Sequence, residues 1–290
     1  MESPPHFPCM QTSSPDHLKA DVKSYWNRQS CETEYAQARK FSREYFEQIE
    51  QFRYASQPFI HAFAQFTRYH GKRVLEVGFG AGTDFIQWLR AGALASGIDL
   101  TEEALANLSH RIEVYGLPKP ERIQVADAEN LPFESNTFDL GYSWGVLHHT
   151  PDTEKSIREL ARVLRPGGEM KIMLYNRHSL SALHTWAKFA LLKGRPWKSV
   201  RWVLWHHQES PGTKAYTRRE IVRMLAAAGL TDIRLEAVMM NTAPTIQRAP
   251  ALLRPLYRLE FALANSCNWG WSWMISARKP PAAAGLQQGR

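Results

Sequence analysis

The sequence predicts an α/β fold with a doubly wound, mostly parallel sheet, and three observations carry that prediction. An apolar run, Val74, Leu75 and Val77, breaks into alternate glycines at Gly78, Gly80 and Gly82. Such a run suits a buried parallel strand, and the glycines allow a tight turn in which backbone approaches a ligand without interference from a Cβ. Strand-like and helix-like segments then alternate as far as Tyr175, the order that a sheet wound with crossover helices requires. Finally, carboxylates stand at the ends of the next two strands, Asp99 and Asp127, on the edge where such sheets hold their ligands.

The glycine spacing excludes two common uses of such a loop. Gly-x-Gly-x-Gly lacks the third glycine position of the dinucleotide fingerprint, and no Gly-Lys-Ser/Thr follows to grip phosphate. Glu76, two residues before the first glycine, would repel a pyrophosphate and suits a ligand carrying an ammonium or sulfonium charge. Taken alone, the triplet is equally a plain turn after an α/β strand.

A chain of 290 residues buries one full core. Cys9, Cys31 and Cys267 are odd in number and far apart, which gives neither a disulfide framework nor metal-ligand pairs and points to a reducing cytoplasm. The proline-rich start shows no secretory pattern, and no apolar run reaches spanning length. The formal charge of +8 invites nucleic acid or anionic membrane as a partner, so its distribution matters.

Residues 1–16 read as a disordered leader. Residues 17–70 read as amphipathic helices, with Phe41, Tyr45, Ile49 and Phe52 near helical spacing and a second stretch beginning at Pro58. The main domain spans 71–280. Thr83–Ala91 is the first crossover helix and 94–98 the second strand, ending in Asp99 and Leu100. An acid at that level can accept both hydrogen bonds of a ribose diol; helix capping is its competing role, although Thr101 fills that better. A helix to Tyr115, a short strand at 123–125 ending at Asp127-Ala128, and a strand at 140–143 follow.

From Lys72 to Tyr175 these motifs resemble the class I S-adenosylmethionine-dependent methyltransferases, in particular the small-molecule branch of ubiquinone/menaquinone type. The resemblance implies a Rossmann-like doubly wound seven-stranded sheet with the last strand antiparallel, N-terminal helices and a helical insertion after strand 5. It implies S-adenosyl-L-methionine as cofactor. Glu76, Gly78, Gly80 and Gly82 would hold the methionyl end, Asp99 the ribose, and Asp127 with Ala128 the adenine, with Leu100 and Ser143 as further cofactor-binding residues. Helices before the first strand often cover the cofactor mouth in this family, which marks Tyr25-Trp26-Asn27 and Arg53-Tyr54; plain helix packing is the other reading of Tyr25 and Trp26. Arg165-Pro166-Gly167-Gly168 matches the family's turn into strand 5.

Ser143-Trp144-Gly145-Val146-Leu147-His148-His149-Thr150 begins at the carboxyl edge of the fourth strand, so Trp144 is a substrate-side candidate. Two adjacent histidines cannot both enter one pocket from a strand, and their spacing suits no helical zinc pair. His148 or His149 could take a proton from the acceptor, or both could hydrogen-bond backbone. Tyr175 and Asn176 close the fifth strand on the same edge, and with Tyr25 they complete the substrate-side candidates. No metal site is expected.

Between Arg177 and Arg219 stand nine Lys or Arg against one acid, Glu209. Nine minus one equals the +8 of the whole chain, so the rest is near neutral. This insertion, 177–216, carries an apolar helical stripe from Leu180 to Leu191 and then Trp197, Trp202 and Trp205. Three readings compete: a lid over an apolar acceptor pocket, an interfacial helix pair on anionic membrane, and a basic surface for RNA. Thr217 with Glu220 forms a capping box for the next helix, 230–238 and 269–278 make the last strands, 244–265 is a second helical insertion, and 281–290 is a tail. The expected activity is methyl transfer to a small, apolar or aromatic acceptor. An RNA or protein methyltransferase docking through the insertion, or a binding protein without turnover, are the alternatives. Whether oxygen, nitrogen, sulfur or carbon is methylated stays open.

Overall fold

The computed structural model describes residues 14–240 and 269–282, with positions 251, 254, 255, 258, 259, 262 and 263 between them. Its seven strands are β1 (Arg73–Val77), β2 (Leu94–Asp99), β3 (Arg122–Val125), β4 (Phe138–Trp144), β5 (Leu164–Tyr175), β6 (Thr231–Val238) and β7 (Ser272–Arg278). They form one sheet in the order β3-β2-β1-β4-β5-β7-β6. Strands β1 to β5 pair in parallel, while β7 runs antiparallel between β5 and β6. The order reverses between β1 and β4, and the crevice above their carboxyl ends is where this topology binds ligands.

Alternation along the strands divides the core into two layers. Val74, Leu140, Tyr142, Met173 and Tyr175 face one layer, and Leu75, Val77, Ile172, Leu174 and Ile275 face the other. Two helices cover the first layer at β1 and β2: α4 (Phe85–Arg90), shorter than the expected 83–91, and α5 (Glu102–Tyr115), capped by Thr101, whose side chain accepts from the Ala104 N–H. Two more cover the second layer: α6 (Thr153–Val163) and α9 (Arg218–Ala227), the latter opened by the Thr217–Glu220 capping box. The Arg165–Gly168 turn is absorbed into β5, where the register with β4 shifts between Phe138 and Leu140.

Three helices precede the sheet: α1 (Pro15–Arg28), α2 (Arg43–Ser56) and α3 (Ile60–Ala64). α1 begins inside the expected leader because Ser14 caps it, accepting from the His17 N–H, and Pro15 takes the first position, where no N–H is needed. Within the insertion, α7 (Leu180–Phe189) and α8 (Val200–His207) are each capped by a serine, Ser179 and Ser199. The expected helix at 244–265 falls largely outside the described residues. Among the described residues no helix is long and apolar enough to cross a membrane.

Candidate cofactor and acceptor site

A cavity of about 300 Å³ opens at the carboxyl end of the sheet, between the glycine loop, α1 and the end of the insertion. Glu76, Gly78, Gly80, Asp99, Leu100, Asp127 and Ala128 line it, and so do Trp144, His149 and Tyr175. Gly80, at φ +51°, has nothing within 4 Å of where a Cβ would stand, so its backbone faces open space. Gly78, at φ +79°, could carry no side chain, because a Cβ would lie 2.2 Å from Val146 Cγ2.

Asp99 is anchored on both carboxylate oxygens. Oδ2 accepts from the Gly80 N–H at 3.0 Å, and Oδ1 accepts from the Thr101 N–H and hydroxyl at 3.0 and 2.8 Å. The carboxylate therefore fixes the glycine loop and the start of α5 as well as facing the cavity. Burial pushes its pKa up, against the opposing pull of those donors. Asp127 accepts from the Glu129 N–H at 2.9 Å and pairs with Lys19 of α1 at 2.6 Å, and the same ammonium reaches Glu129 at 3.0 Å.

The methionyl end of the predicted cradle holds an excess of buried acid. Glu76 shares a face with Val74, which aims it at α4, where the Trp88 indole N–H donates to it at 2.8 Å. Asp84 takes a fork from Arg53 at 3.1 and 2.6 Å and the hydroxyls of Tyr54 and Tyr142 at 3.1 and 2.9 Å. Arg53 also reaches Glu32 at 3.0 Å. Three buried carboxylates thus surround one guanidinium. Burial first, and the Asp84 charge second, push Glu76 well above the usual carboxylate range. A bound cation would relieve that. This acid excess, the open face of Gly80 and the acids along the floor fit a ligand with an ammonium, a sulfonium and a ribose diol.

At the end predicted for the acceptor, the chain after β4 forms a short turn, Leu147–His149, that sends the two histidines different ways. His149 faces the cavity; its Nδ1 lies 2.8 Å from Ser210 Oγ and 3.0 Å from Thr213 Oγ1. The Thr213 hydroxyl donates to the Ser210 carbonyl at 2.7 Å, so Thr213 can only accept from Nδ1–H. In the neutral ring the Thr213 contact favours the proton on Nδ1 and the lone pair on Nε2, whereas the imidazolium would present N–H to Glu209 as well. Nε2 lies 3.4 Å from Glu209 Oε2, and the Tyr175 hydroxyl sits 2.9 Å from both Glu209 oxygens. Burial pushes the Glu209 carboxyl up, but the imidazolium form of His149 and the Tyr175 hydroxyl outweigh it and leave the pKa below the ordinary value. The Trp26 ring of α1 meets the His149 ring edge-on at 5.5 Å.

Five predicted site residues do not line the cavity. Ser143 follows Tyr142 on β4, so the pleat turns it to the opposite face, where it donates to the Val77 carbonyl at 2.8 Å. Asn176 follows Tyr175 in the same way; its amide donates to the Gly270 carbonyl at 2.9 Å, and its Oδ1 accepts from the His178 N–H. Gly82 lies against α5, where a Cβ would meet Leu108 at 2.7 Å. Tyr25 is one step round the α1 helix from the cavity face that carries Val22 and Trp26. His148 is fully buried against Tyr175, with ring centroids 3.9 Å apart; burial, then the charges of His149 and Lys214, hold it neutral, well below the usual imidazole range. Conversely, Glu32, Asp84 and Glu209 line the cavity without having been singled out. The signal for Glu209 was its being the sole acid in a basic stretch. Among the described residues no group of three His, Cys, Asp or Glu is placed to hold a metal ion.

Comparison with known proteins agrees with this geometry. A methyltransferase-domain family model matches residues 75–172. Methyltransferase GfsG of Streptomyces halstedii is 31% identical over 186 residues, covering 63% of this chain and 60% of that one. Tocopherol O-methyltransferase of Arabidopsis thaliana is 35% identical over 112 residues, 38% of this chain and 32% of that one. Phosphatidylethanolamine N-methyltransferase of Cereibacter sphaeroides is 36% identical over 103 residues, 36% and 50%. The matches thus span 60% or less of these relatives. Among solved structures, geranyl diphosphate C-methyltransferase of Streptomyces coelicolor A3(2) superposes with a TM-score of 0.60 at 15% identity, covering 90% of this chain and 97% of that one, which shows the shared fold. Residues 75–172 thus match a methyltransferase domain, set in a seven-stranded sheet whose order, glycine loop and flanking acids are those expected of class I S-adenosylmethionine-dependent methyltransferases.

Proposed function

We propose that the protein transfers the methyl group of S-adenosylmethionine to a small, apolar or aromatic acceptor, and that His149 takes the acceptor's proton. The single observation that carries this reading is continuity: one cavity joins the acidic glycine-loop cradle to the His149–Glu209–Tyr175 cluster. Its volume of about 300 Å³ suits small molecules and excludes a folded macromolecular acceptor from its interior. The relatives named above also methylate small molecules, as far as their names state.

Bound S-adenosylmethionine supplies an already activated methyl group on a sulfonium. The protein's part is therefore to position and desolvate. Glu76 offers a counter-charge at the ammonium end, Asp99 and Asp127 accept from ribose and adenine donors, and the Gly78–Gly80 backbone leaves room for close approach. Trp26, Trp144 and Tyr175 wall the acceptor end with aromatic surface. His149 Nε2 receives the acceptor's proton as its bond to carbon forms, and Glu209 stabilises the resulting imidazolium.

Titration calorimetry with S-adenosylmethionine and S-adenosylhomocysteine tests the cofactor half, on the wild type, Asp99→Ala and the shape-preserving Asp99→Asn. Both ligands bind the wild type, and at least about tenfold more weakly to each variant, an expected loss of about 1.4 kcal/mol or more. No binding by a folded wild type sinks the proposal. A screen of apolar phenols, amines and thiols for S-adenosylhomocysteine release then tests the acceptor half, and turnover of none of them by a cofactor-binding protein favours the non-catalytic alternative.

A further inference from the structure

We propose that the tip of the α7–α8 hairpin docks on the surface of an anionic lipid bilayer. The two helices pack on each other, with the Trp186 indole donating to the Lys198 carbonyl at 2.7 Å. Ala182, Ala190, Val203 and Leu204 supply the buried contacts. At the tip Leu191 is 49% exposed, Leu192 79% and Trp197 74%. Lone exposed leucines are ordinary on a protein surface, but here three large apolar side chains share one turn and its following loop.

Charge decides the occupant. Lys188, Lys193, Arg195 and Lys198 flank these three residues along the chain, Lys188 and Lys198 lying over the Phe189 and Trp202 rings, and neither Lys193 nor Arg195 pairs with an acid among the described residues. The insertion's sole acid, Glu209, lies beyond the far end of α8, about 12 Å away by helix rise, and it is engaged with Tyr175 and His149. Exposed leucine and tryptophan ringed by lysine and arginine is the composition that settles into the headgroup region of an anionic leaflet. A second copy of the chain would bring the same cations against themselves, because a two-fold interface opposes like surfaces. Nucleic acid would take the cations but leave the two leucines without a stacking partner.

Docking at the tip holds the acceptor end of the cavity about one helix length from the bilayer. It needs neither cofactor nor methyl transfer, so its failure leaves the proposed activity standing.

Vesicle co-sedimentation tests it, comparing phosphatidylcholine vesicles with vesicles containing about 30% phosphatidylglycerol at about 0.1 M salt. The wild type sediments with the anionic vesicles. The pair Lys193→Glu with Arg195→Glu weakens binding by about 25-fold or more, at about fivefold per cation lost. Leu192→Ser with Trp197→Ser weakens it comparably with every charge retained, which a purely electrostatic contact would not show. Unchanged circular dichroism and thermal midpoints keep the folds equivalent. Absence of wild-type binding overturns the proposal. So does binding that ignores the Leu192/Trp197 pair while single-stranded RNA competes for it, which indicates a nucleic-acid surface. A dimer that the same pair converts to monomer, with no vesicle binding, overturns it in favour of an interface between copies.

Discussion

His149 Nε2 lies 3.4 Å from Glu209 Oε2 in the wall of the cavity, with Nδ1 2.8 Å from Ser210 Oγ and 3.0 Å from Thr213 Oγ1. Glu209→Gln preserves shape and removes the charge; His149→Asn removes the base. Each is expected to lower kcat by about 10²- to 10³-fold, with S-adenosylhomocysteine affinity held within about threefold because neither residue touches the predicted ribose or adenine positions. Single-turnover kinetics with an accepted substrate, set beside calorimetry, separate the two effects. Undiminished turnover in His149→Asn removes the proposed base.

The glycine loop makes two neighbouring substitutions behave differently. Gly78→Ala forces a Cβ to within 2.2 Å of Val146 at φ +79°, so we expect a loss of about 2 to 4 kcal/mol from overpacking and backbone strain together. Gly80→Ala meets no atom within 4 Å and suffers only the left-handed backbone, about 1 kcal/mol. It therefore folds, yet its methyl enters the cavity and should weaken S-adenosylmethionine binding by tenfold or more on the order of 1.4 kcal/mol. Urea unfolding and calorimetry on both variants check the contrast.

α1 is latched over the cavity by charge. Lys19 pairs with Asp127 and Glu129, and Lys23 pairs with Glu102 at 2.6 Å, while Asn27 accepts from the Glu103 N–H at 3.0 Å. Partly exposed pairs are screened by salt. Raising ionic strength from about 0.05 to about 0.5 M should speed amide exchange across Pro15–Arg28 while leaving the central strands protected. Lys19→Ala should reproduce the effect at low salt. Equal exchange in α1 under both conditions would show that Leu18 and Val22 alone hold the helix down.

Acid should loosen the carboxyl half of the chain first. Glu220 is held down to about 2 by Arg177 and the Thr217 cap, and Glu169 to about 2 by Tyr69, Arg68 and Arg278, in each case against the upward push of burial. Both values are depressed, so their stabilisation is fully present above the unfolded carboxylate value of about 4.3 and is lost as pH falls toward 2. Solvent screens both groups, so the size is modest. Glu220→Gln, whose amide oxygen can still accept from the Thr217 N–H, should destabilise by up to about 1 kcal/mol near neutral pH through the lost Arg177 ion pair, and flatten the decline below pH about 4.5. Urea midpoints taken across that range measure it.

The fold was legible because its signals are local. Val74 to Val77 and the three glycines sit in one stretch, and Asp99 and Asp127 each close a strand, so side-chain type and register coincide on the binding edge. Legibility failed where one residue step decides direction. Ser143 and Asn176 end the right strands but lie on the wrong side of the pleat, next to Trp144 and Tyr175, which do line the cavity. Trp26 faces the site and Tyr25 does not, because a helix turns about 100° per residue. Glu209 was out of reach for another reason: only the folding back of the whole insertion brings it beside His149 and Tyr175, and no spacing in the sequence encodes that.

The place of β7 in the sheet ties the durability of the edge to one strand. Among the described residues β6 joins the sheet solely through β7, and β7 in turn covers β5 from Glu169 to Tyr175. Should β7 detach, β6 leaves with it, and β5 becomes an open edge rich in apolar side chains such as Ile172, Met173 and Leu174. Long, flat, apolar edges recruit strands from other molecules. The hazard in handling this protein is then less its global unfolding than a partial opening at one margin, which turns a folded molecule into a seed for aggregates.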